Sequence, residues 1–358
     1  MNRIAYLLSH DITKGDGVAK KVATQITEWK NQGVEVKVFC LVPTVKNMGE
    51  DYCLYPMPGP LAARLTLNSH LFEDIVNFKP DVVYYRYDTW SVTVAKLKKR
   101  FKFIAELNTD DLAESKLLLL KEKSFKALLR YCAFKMLRKR LLSGMSGLIG
   151  VTNEITHLKS NNLPNVKRCC FPNSIDLEKY PVIKQSIAID STRLGVFFIG
   201  SPNQDWHGVD FIEQMAKNMP MFDFHLVGIE GNNKDNLFYH GFLNAEQYLK
   251  VLAKCTVCVG SLALYRNNLF EASPLKVREY LAYGFPIILG YRDTAFEGLK
   301  NLSWLLTIDT QKKLDFLDIE RFIRSNASTV LSDKHRNLVS SKSIESKRLH
   351  FIRSCQRD

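Results

Sequence analysis

Glu271-Ala272-Ser273-Pro274-Leu275-Lys276-Val277-Arg278-Glu279-Tyr280-Leu281 encodes a loop that runs into a helix. Ser273 is a good N-cap, because its hydroxyl can accept from the free amides of a first helical turn. Pro274 suits the first helical position, where no amide hydrogen is needed. Val277, Tyr280 and Leu281 carry the helix on, and Gly284 followed by Pro286 ends it. Glu271 then lies in the loop ahead of the helix, and Glu279 lies near its second turn. Between the two carboxylates are a helix start with unpaired amides, a partial positive charge and Lys276, a setting that suits a diphosphate. Sugar hydroxyls on either side of that phosphate could donate to the two acids. The same residues also read as an ordinary capped surface helix with scattered acids, and the segment alone does not choose between the two.

Outward from this segment the chain alternates strand and helix. Residues 3–9 read as a strand, and Val18, Val22, Ile26 and Trp29 mark one face of the next helix, which Gly33 ends. Strands follow at Val34–Leu41, Val82–Arg86, Phe101–Leu107 and Gly147–Thr152. A second series is expected at Leu194–Gly200, Phe222–Gly228, Leu237–Phe242, Val257–Ser261, Pro286–Gly290 and Trp304–Ile308. Its helices are expected to begin near Val209, Asn244, Pro274 and Thr310. Apolar strands separated by helices predict parallel sheets covered on both faces. Between the series, polar sequence from about Phe171 to Thr192 reads as a linker. The fold class is therefore α/β, with two Rossmann-like domains in tandem, 1–180 and 190–335. A basic, helix-like tail covers 336–358. Open sheets of this kind bind ligands beyond the carboxyl ends of their strands.

The 358 residues are 46% hydrophobic, which suits two buried cores and excludes a disordered chain. No apolar run approaches the roughly 20 residues that span a bilayer. The stretch after Met1 is too short for a signal peptide and reads as a buried strand. Eight cysteines form no framework; Cys255-x-x-Cys258 lies in a strand-like run, so reduced buried thiols in a cytoplasmic protein are expected. The net charge of +13 favours anionic partners: nucleic acid, an anionic membrane surface or phosphorylated ligands.

Four landmarks in order make the chain resemble the retaining glycosyltransferases of the GT-B fold, family 4. They are Gly15-Asp16-Gly17-Val18-Ala19, Pro172-Asn173-Ser174-Ile175-Asp176, Phe198-Ile199-Gly200-Ser201 with Trp206-His207-Gly208-Val209-Asp210, and Glu271 with Glu279 in a Glu-x7-Glu spacing. The resemblance covers most of the chain. It implies two domains facing a cleft and transfer of a sugar from a nucleotide-sugar donor, with retention, to a glycan or lipid-linked glycan. It also implies that the tail packs back on the first domain. By this resemblance Glu271 meets the donor sugar's hydroxyls and Glu279 the ribose. The amides around Ser273 and Leu275, with Lys276, hold the diphosphate. Gly15 and Gly17 allow a first-domain loop to come close to the same phosphates. Ser201 and His207 stand where many members carry Arg and Lys, so Lys276, with Arg278 or Arg266, has to supply more of the positive charge. Asn108 stands where a first-domain histidine is expected. No cofactor and no metal are implied, and the sequence contains no Asp-x-Asp motif. A preorganised helix end and a cation can stabilise the charge that builds on a leaving diphosphate. The acids are then hydroxyl acceptors rather than a hydrolase-type acid/base pair.

Other readings stay beside this one. His207 reads as a phosphate donor or as a surface histidine beside Trp206, and His10 as a loop residue. Gly15-x-Gly17 lacks the third glycine of a dinucleotide fingerprint. Tyr84-Tyr85-Arg86-Tyr87 could bring Arg86 to an acceptor or simply pack. Lys121, Lys123, Lys126, Arg130, Lys135, Arg138, Lys139 and Arg140 flank an apolar stripe of Phe125, Leu128, Leu129, Cys132 and Met136. The expectation is a buried stripe with a basic rim drawn to the inner leaflet, each cation contributing ~1 kcal/mol. A cytoplasmic protein, peripheral at the inner face of the cell membrane and working in bacterial surface polysaccharide assembly (capsule, exopolysaccharide or O-antigen), would fit this rim. A nucleotide-sugar 2-epimerase is the alternative enzyme. A nucleic-acid binder would need stacking aromatics among its cations, and here the aromatics fall in strand-like runs, so nucleic acid is not expected as a partner.

Overall fold

The computed structural model describes residues 1–57, 59–183 and 193–356. Residues 184–192, which include the later part of the expected linker and the expected second-domain start at 190, lie outside the described residues, as do 357 and 358. The chain forms two units, Met1–Pro172 with Ser341–Asp358, and Asn173–Ser340. The division falls earlier than the expected 180. Residues from Asn173 onward are tied into the second unit: the Asn173 amide donates to Ser273 Oγ (2.7 Å), Ile175 to the Val339 carbonyl (2.9 Å), and Arg336 to the Tyr180 carbonyl (2.9 Å).

The first unit holds strands β1 (Arg3–Ser9), β2 (Glu35–Val42), β3 (Tyr52–Pro56), β4 (Val82–Arg86), β5 (Lys102–Leu107), β6 (Gly147–Gly150) and β7 (Lys167–Cys170). All run parallel, in the order β3-β2-β1-β4-β5-β6-β7. The central strands are buried on both faces, which is why they read as unbroken apolar runs. β3 and β7 were not legible, since both are half-buried edge strands without a continuous apolar run. One face carries the helix Gly17–Asn31, whose Val22, Ile26 and Trp29 pack with Tyr6 and Tyr84. Trp29 meets both tyrosine rings, at 5.9 and 5.0 Å between centroids. The helix Ser341–Ser354 shares that face through Ile344, Leu349 and Ile352. Its Ser341 donates to Glu28 at 2.6 Å.

The second unit holds β8 (Leu194–Ile199), β9 (Phe222–Val227), β10 (Leu237–Tyr239), β11 (Cys255–Val259), β12 (Glu271–Ala272), β13 (Ile287–Leu289), β14 (Arg292–Asp293) and β15 (Leu305–Thr307). Six of them form a parallel sheet in the order β10-β9-β8-β11-β13-β15, and β12 and β14 make a separate parallel pair. Each sheet reverses its strand order beside its first strand, at β1/β4 and at β8/β11, where open α/β sheets open a crevice. The helix expected near Thr310 begins at Phe316 instead. Thr310 turns its hydroxyl to the Leu262 carbonyl (2.5 Å), and Asp315 caps the helix by accepting from Leu317 and Asp318.

The stripe of Phe125, Leu128, Leu129, Cys132 and Met136 is not buried, contrary to expectation. Phe125 is 75% exposed and Met136 is 66% exposed. The helix Phe125–Leu142 reaches the core mainly through its last turns, at Arg138, Leu141 and Leu142. Its neighbour, the helix Asp111–Glu122, buries no residue. Among the described residues the stripe is left uncovered.

Candidate functional site

In the second unit Ser201, His207 and Lys276 come together at the carboxyl end of β8. The helix Leu275–Tyr283 starts after Pro274 and has no side-chain cap. This differs from the expectation for Ser273. Its hydroxyl accepts from the Asn173 amide (2.7 Å) and from Arg278 (2.6 Å), so it is not spent on the helix amides. The helix start is thus left to whatever else can satisfy its first N–H groups. Arg278, suggested as a phosphate-binding cation, is fully buried. Its guanidinium donates to the Asn173 carbonyl (2.9 Å), to Asp293 (2.7 Å) and to Ser273. It braces the loop ahead of the helix. Arg266 is also engaged, with a bidentate pair to Asp210 at 2.9 and 2.8 Å.

Lys276 remains. Its amino group donates to the Ile199 carbonyl (3.1 Å), at the last residue of β8, and lies 4.3 Å from the Phe198 ring centroid. Among the described residues no carboxylate pairs with it. Burial pulls its pKa from the usual lysine range down to about 7. An amine held this way is short of negative charge, and an arriving phosphate would restore it to the full cation.

Ser201 is exposed just past β8, and His207 is buried beside it. The His207 ring packs against Trp206 (4.2 Å) and Phe198 (5.5 Å). Burial first and Lys276 second lower its pKa to about 3, so it is neutral and forms a wall under the loop. Gly228, at the end of β9, adopts φ +77°, and a Cβ there would stand 2.1 Å from the Gly200 carbonyl oxygen. Only glycine lets this loop come so close to the one carrying Ser201.

The two acids are held by residues that sequence reading missed. Buried Glu271 lies in β12, and Thr294 donates to its Oε1 at 2.8 Å. Half-buried Glu279 accepts from the Tyr180 hydroxyl at 3.3 Å. Thr294 follows a two-residue strand, too short to show any periodicity. Tyr180 lies about a hundred residues from Glu279 in sequence, so no local pattern connects them. Leu275 is half-buried at the helix start.

In the first unit, β1 leads through a short turn (Ile12–Lys14) to Gly15 and on to the helix Gly17–Asn31. Gly15 has φ +65° with open space around its Cα, so its backbone conformation rather than crowding calls for glycine. Asp16 caps this helix by accepting from Ala19 (3.0 Å) and meets His10 at 2.7 Å. Asn108 lies just past β5. Its side-chain Oδ1 accepts from Lys21 (3.0 Å) and Arg86 (2.8 Å). Both cations also pair with the fully buried Glu106, at 2.9 and 3.4 Å, and Arg348 of the last helix joins it at 3.1 Å. Burial opposes the Glu106 charge, but Lys21, Arg348 and Arg86 outweigh it and hold the carboxyl far below its ordinary range. Asn108 therefore orients Arg86. Among the described residues no group of three or more His, Cys, Asp or Glu side chains could hold a metal ion.

Two parallel-sheet α/β units of seven and six strands, each with a switch point beside its first strand, define the GT-B glycosyltransferase fold. The chain is similar to a sucrose-phosphate synthase from Thermosynechococcus elongatus, with a TM-score of 0.70, 14% identity and 99% of each chain covered. It is similar to Anabaena HepE, solved with UDP and glucose, with a TM-score of 0.62, 14% identity, and 99% of this chain and all of that one covered. The lipopolysaccharide outer core galactosyltransferase WaaB matches with a TM-score of 0.61 and 11% identity over 98% of this chain and 99% of that one. No protein-family model and no curated protein matches the sequence.

Proposed function

We propose that the protein is a retaining glycosyltransferase whose second unit binds a nucleotide-sugar donor. The observation that carries this reading is Lys276, an amine with no carboxylate partner among the described residues, at a helix start without a side-chain cap, at the carboxyl end of β8. A diphosphate there accepts from Lys276 and from the amides around Leu275, and lies beside Ser201. Glu271, oriented by Thr294, accepts from the donor sugar's hydroxyls. Glu279, oriented by Tyr180, accepts from the ribose.

In the transfer the bond from the anomeric carbon to the diphosphate oxygen breaks, and the acceptor oxygen bonds to that carbon on the same face. The acceptor's proton passes to the departing phosphate. Charge grows on the diphosphate during this step, and a fixed cation with helix amides stabilises it most as it forms. The protein supplies no nucleophile, and the reading assigns no metal. In the first unit Asn108 positions Arg86.

UDP is the first donor nucleotide to test, since HepE was solved with UDP and glucose. A hexose is the proposed sugar. The acceptor is proposed to be a lipid-linked glycan at the inner face of a bacterial membrane, as in surface polysaccharide assembly. WaaB, a lipopolysaccharide galactosyltransferase of the same fold, supports that direction. Among the described residues no helix is long and apolar enough to cross a membrane. A thermal-shift panel of UDP-, GDP- and ADP-sugars tests the donor. One nucleotide should raise the melting midpoint by several degrees at saturating concentration, and no shift with any of them would overturn the reading.

A further inference from the structure

We infer that the helical hairpin Asp111–Leu142 seats its apolar face in the surface of an anionic phospholipid bilayer. This names the element that would dock near a membrane-borne acceptor, and it rests on no step of the sugar transfer.

The hairpin is anchored at one end only. Arg138, 2% exposed, donates to Asp111 (2.7 Å) and Asn161 (2.8 Å), and Leu141 and Leu142 enter the core of the first unit. Toward the turn at Lys123 the small Ala127 is still buried, but the large apolar side chains are open. Phe125, Leu128, Leu129 and Met136 are 75%, 44%, 56% and 66% exposed, and Leu117, Leu118 and Leu120 of the neighbouring helix are about as open. Positions 125, 128, 129, 132 and 136 recur at helical spacing, so they form one continuous strip. Open patches of this kind mark a surface that is covered in use.

The charges around the strip select its occupant. Lys121, Lys123, Lys126, Arg130 and Lys135 are all exposed, while Glu122 near the turn is paired with Arg130 at 2.6 Å. A second copy of the chain would bring two such clusters face to face, and like charges repel. Nucleic acid would satisfy the lysines and could stack one base on Phe125, but it would leave Leu128, Leu129, Met136 and the leucines of the neighbouring helix unused, because bases stack on flat aromatic rings. A bilayer with acidic headgroups satisfies both: cations rest among phosphates while the strip enters the acyl boundary.

Vesicle sedimentation at low and high salt tests this. The whole protein should sediment with phosphatidylcholine–phosphatidylglycerol vesicles at low salt and stay free of pure phosphatidylcholine vesicles. The triple variant Lys121→Gln, Lys123→Gln, Lys126→Gln should lower the partition coefficient about a hundredfold. The variant Phe125→Ser, Leu128→Ser, Leu129→Ser, Met136→Ser should fall to background. The circular dichroism of both should match the parent; if the serine variant fails to fold, the lysine variant, altered only at exposed side chains, decides. Four results would overturn the inference. They are no binding by the parent, equal binding to neutral vesicles, unchanged binding by the lysine variant, or a parent dimer that the serine variant converts to monomer while vesicle binding persists. UDP affinity measured without vesicles should be the same in all three proteins, so a failure of docking is distinguishable from a failure of the donor site.

Discussion

Lys276 is the cation of the proposed donor site, and its environment gives it a pH signature. Its pKa of about 7 in the free protein rises when a diphosphate arrives, so binding takes up a proton. Nucleotide affinity should be greatest below pH 7. Above it, affinity should weaken by up to about tenfold per pH unit until the pKa of the complex is reached. Titrations in buffers of different ionisation enthalpy read the same proton directly. The sign for stability is opposite to that of a usual ion pair. An unfolded lysine titrates near 10.5 and the folded one near 7, so the unfolded chain holds the proton more readily between those values. The penalty is complete below pH 7 and fades as pH rises toward 10. Lys276→Met should therefore stabilise the free protein at pH 6, by about 1–2 kcal/mol in denaturant unfolding, while it weakens nucleotide binding. A variant no more stable than the parent at pH 6 would count against a desolvated amine. At Glu279 a smaller change is expected: Tyr180→Phe removes one hydrogen bond and should weaken nucleotide binding by a few-fold, about 1 kcal/mol, in the same titration.

At the scale of elements, the loop from β12 into the helix Leu275–Tyr283 is held from behind by Arg278. The pair with Asp293 is wholly buried, so Arg278→Ala leaves an uncompensated carboxylate. It should cost about 3–5 kcal/mol in urea unfolding, and Arg278→Lys should recover only part because a lysine cannot make the three-way fork. A loss under 1 kcal/mol would mean that the brace is not needed. The segment also shows what the sequence reveals and what it hides. The turn into the helix, its end at Gly284, and the flanking positions of Glu271 and Glu279 were legible because Pro, Gly and apolar spacing are local signals. The use of Ser273 was not. Its capping hydroxyl is taken by Asn173 and Arg278, and the first of these lies a hundred residues away. Thr294 and Tyr180 were hidden for the same reason, since side-chain contacts across a fold leave no periodic trace. His207 was legible as a residue of interest but not as a neutral, buried wall, because burial is a property of the packed unit. The stripe from Phe125 to Met136 was read correctly as an apolar helix face and wrongly as a core face. Periodicity says which residues share a side, not whether anything covers it.

For the whole molecule, the parallel-sheet fold of both units was legible from alternating apolar runs, and the edge strands β3 and β7 were not, because they lack that signal. The last helix contributes Arg348 and Glu345, both buried, to a charged cluster around Glu106. A chain ending at Ser340 strips Arg348 from Glu106 and removes Leu349 and Ile352 from the core. Calorimetry should then show the first unit's transition lost or lowered by tens of degrees with the second unit's retained; a single unchanged transition would contradict this ledger of contacts. In the proposed function the second unit grips a nucleoside diphosphate through Lys276 at the helix start. The most direct measurement is calorimetric titration of the parent and of Lys276→Met with UDP and with uridine. UDP should bind the parent and lose about tenfold to a hundredfold in affinity in the variant, while uridine binding is the same in both. Equal UDP affinity in the two proteins would contradict it.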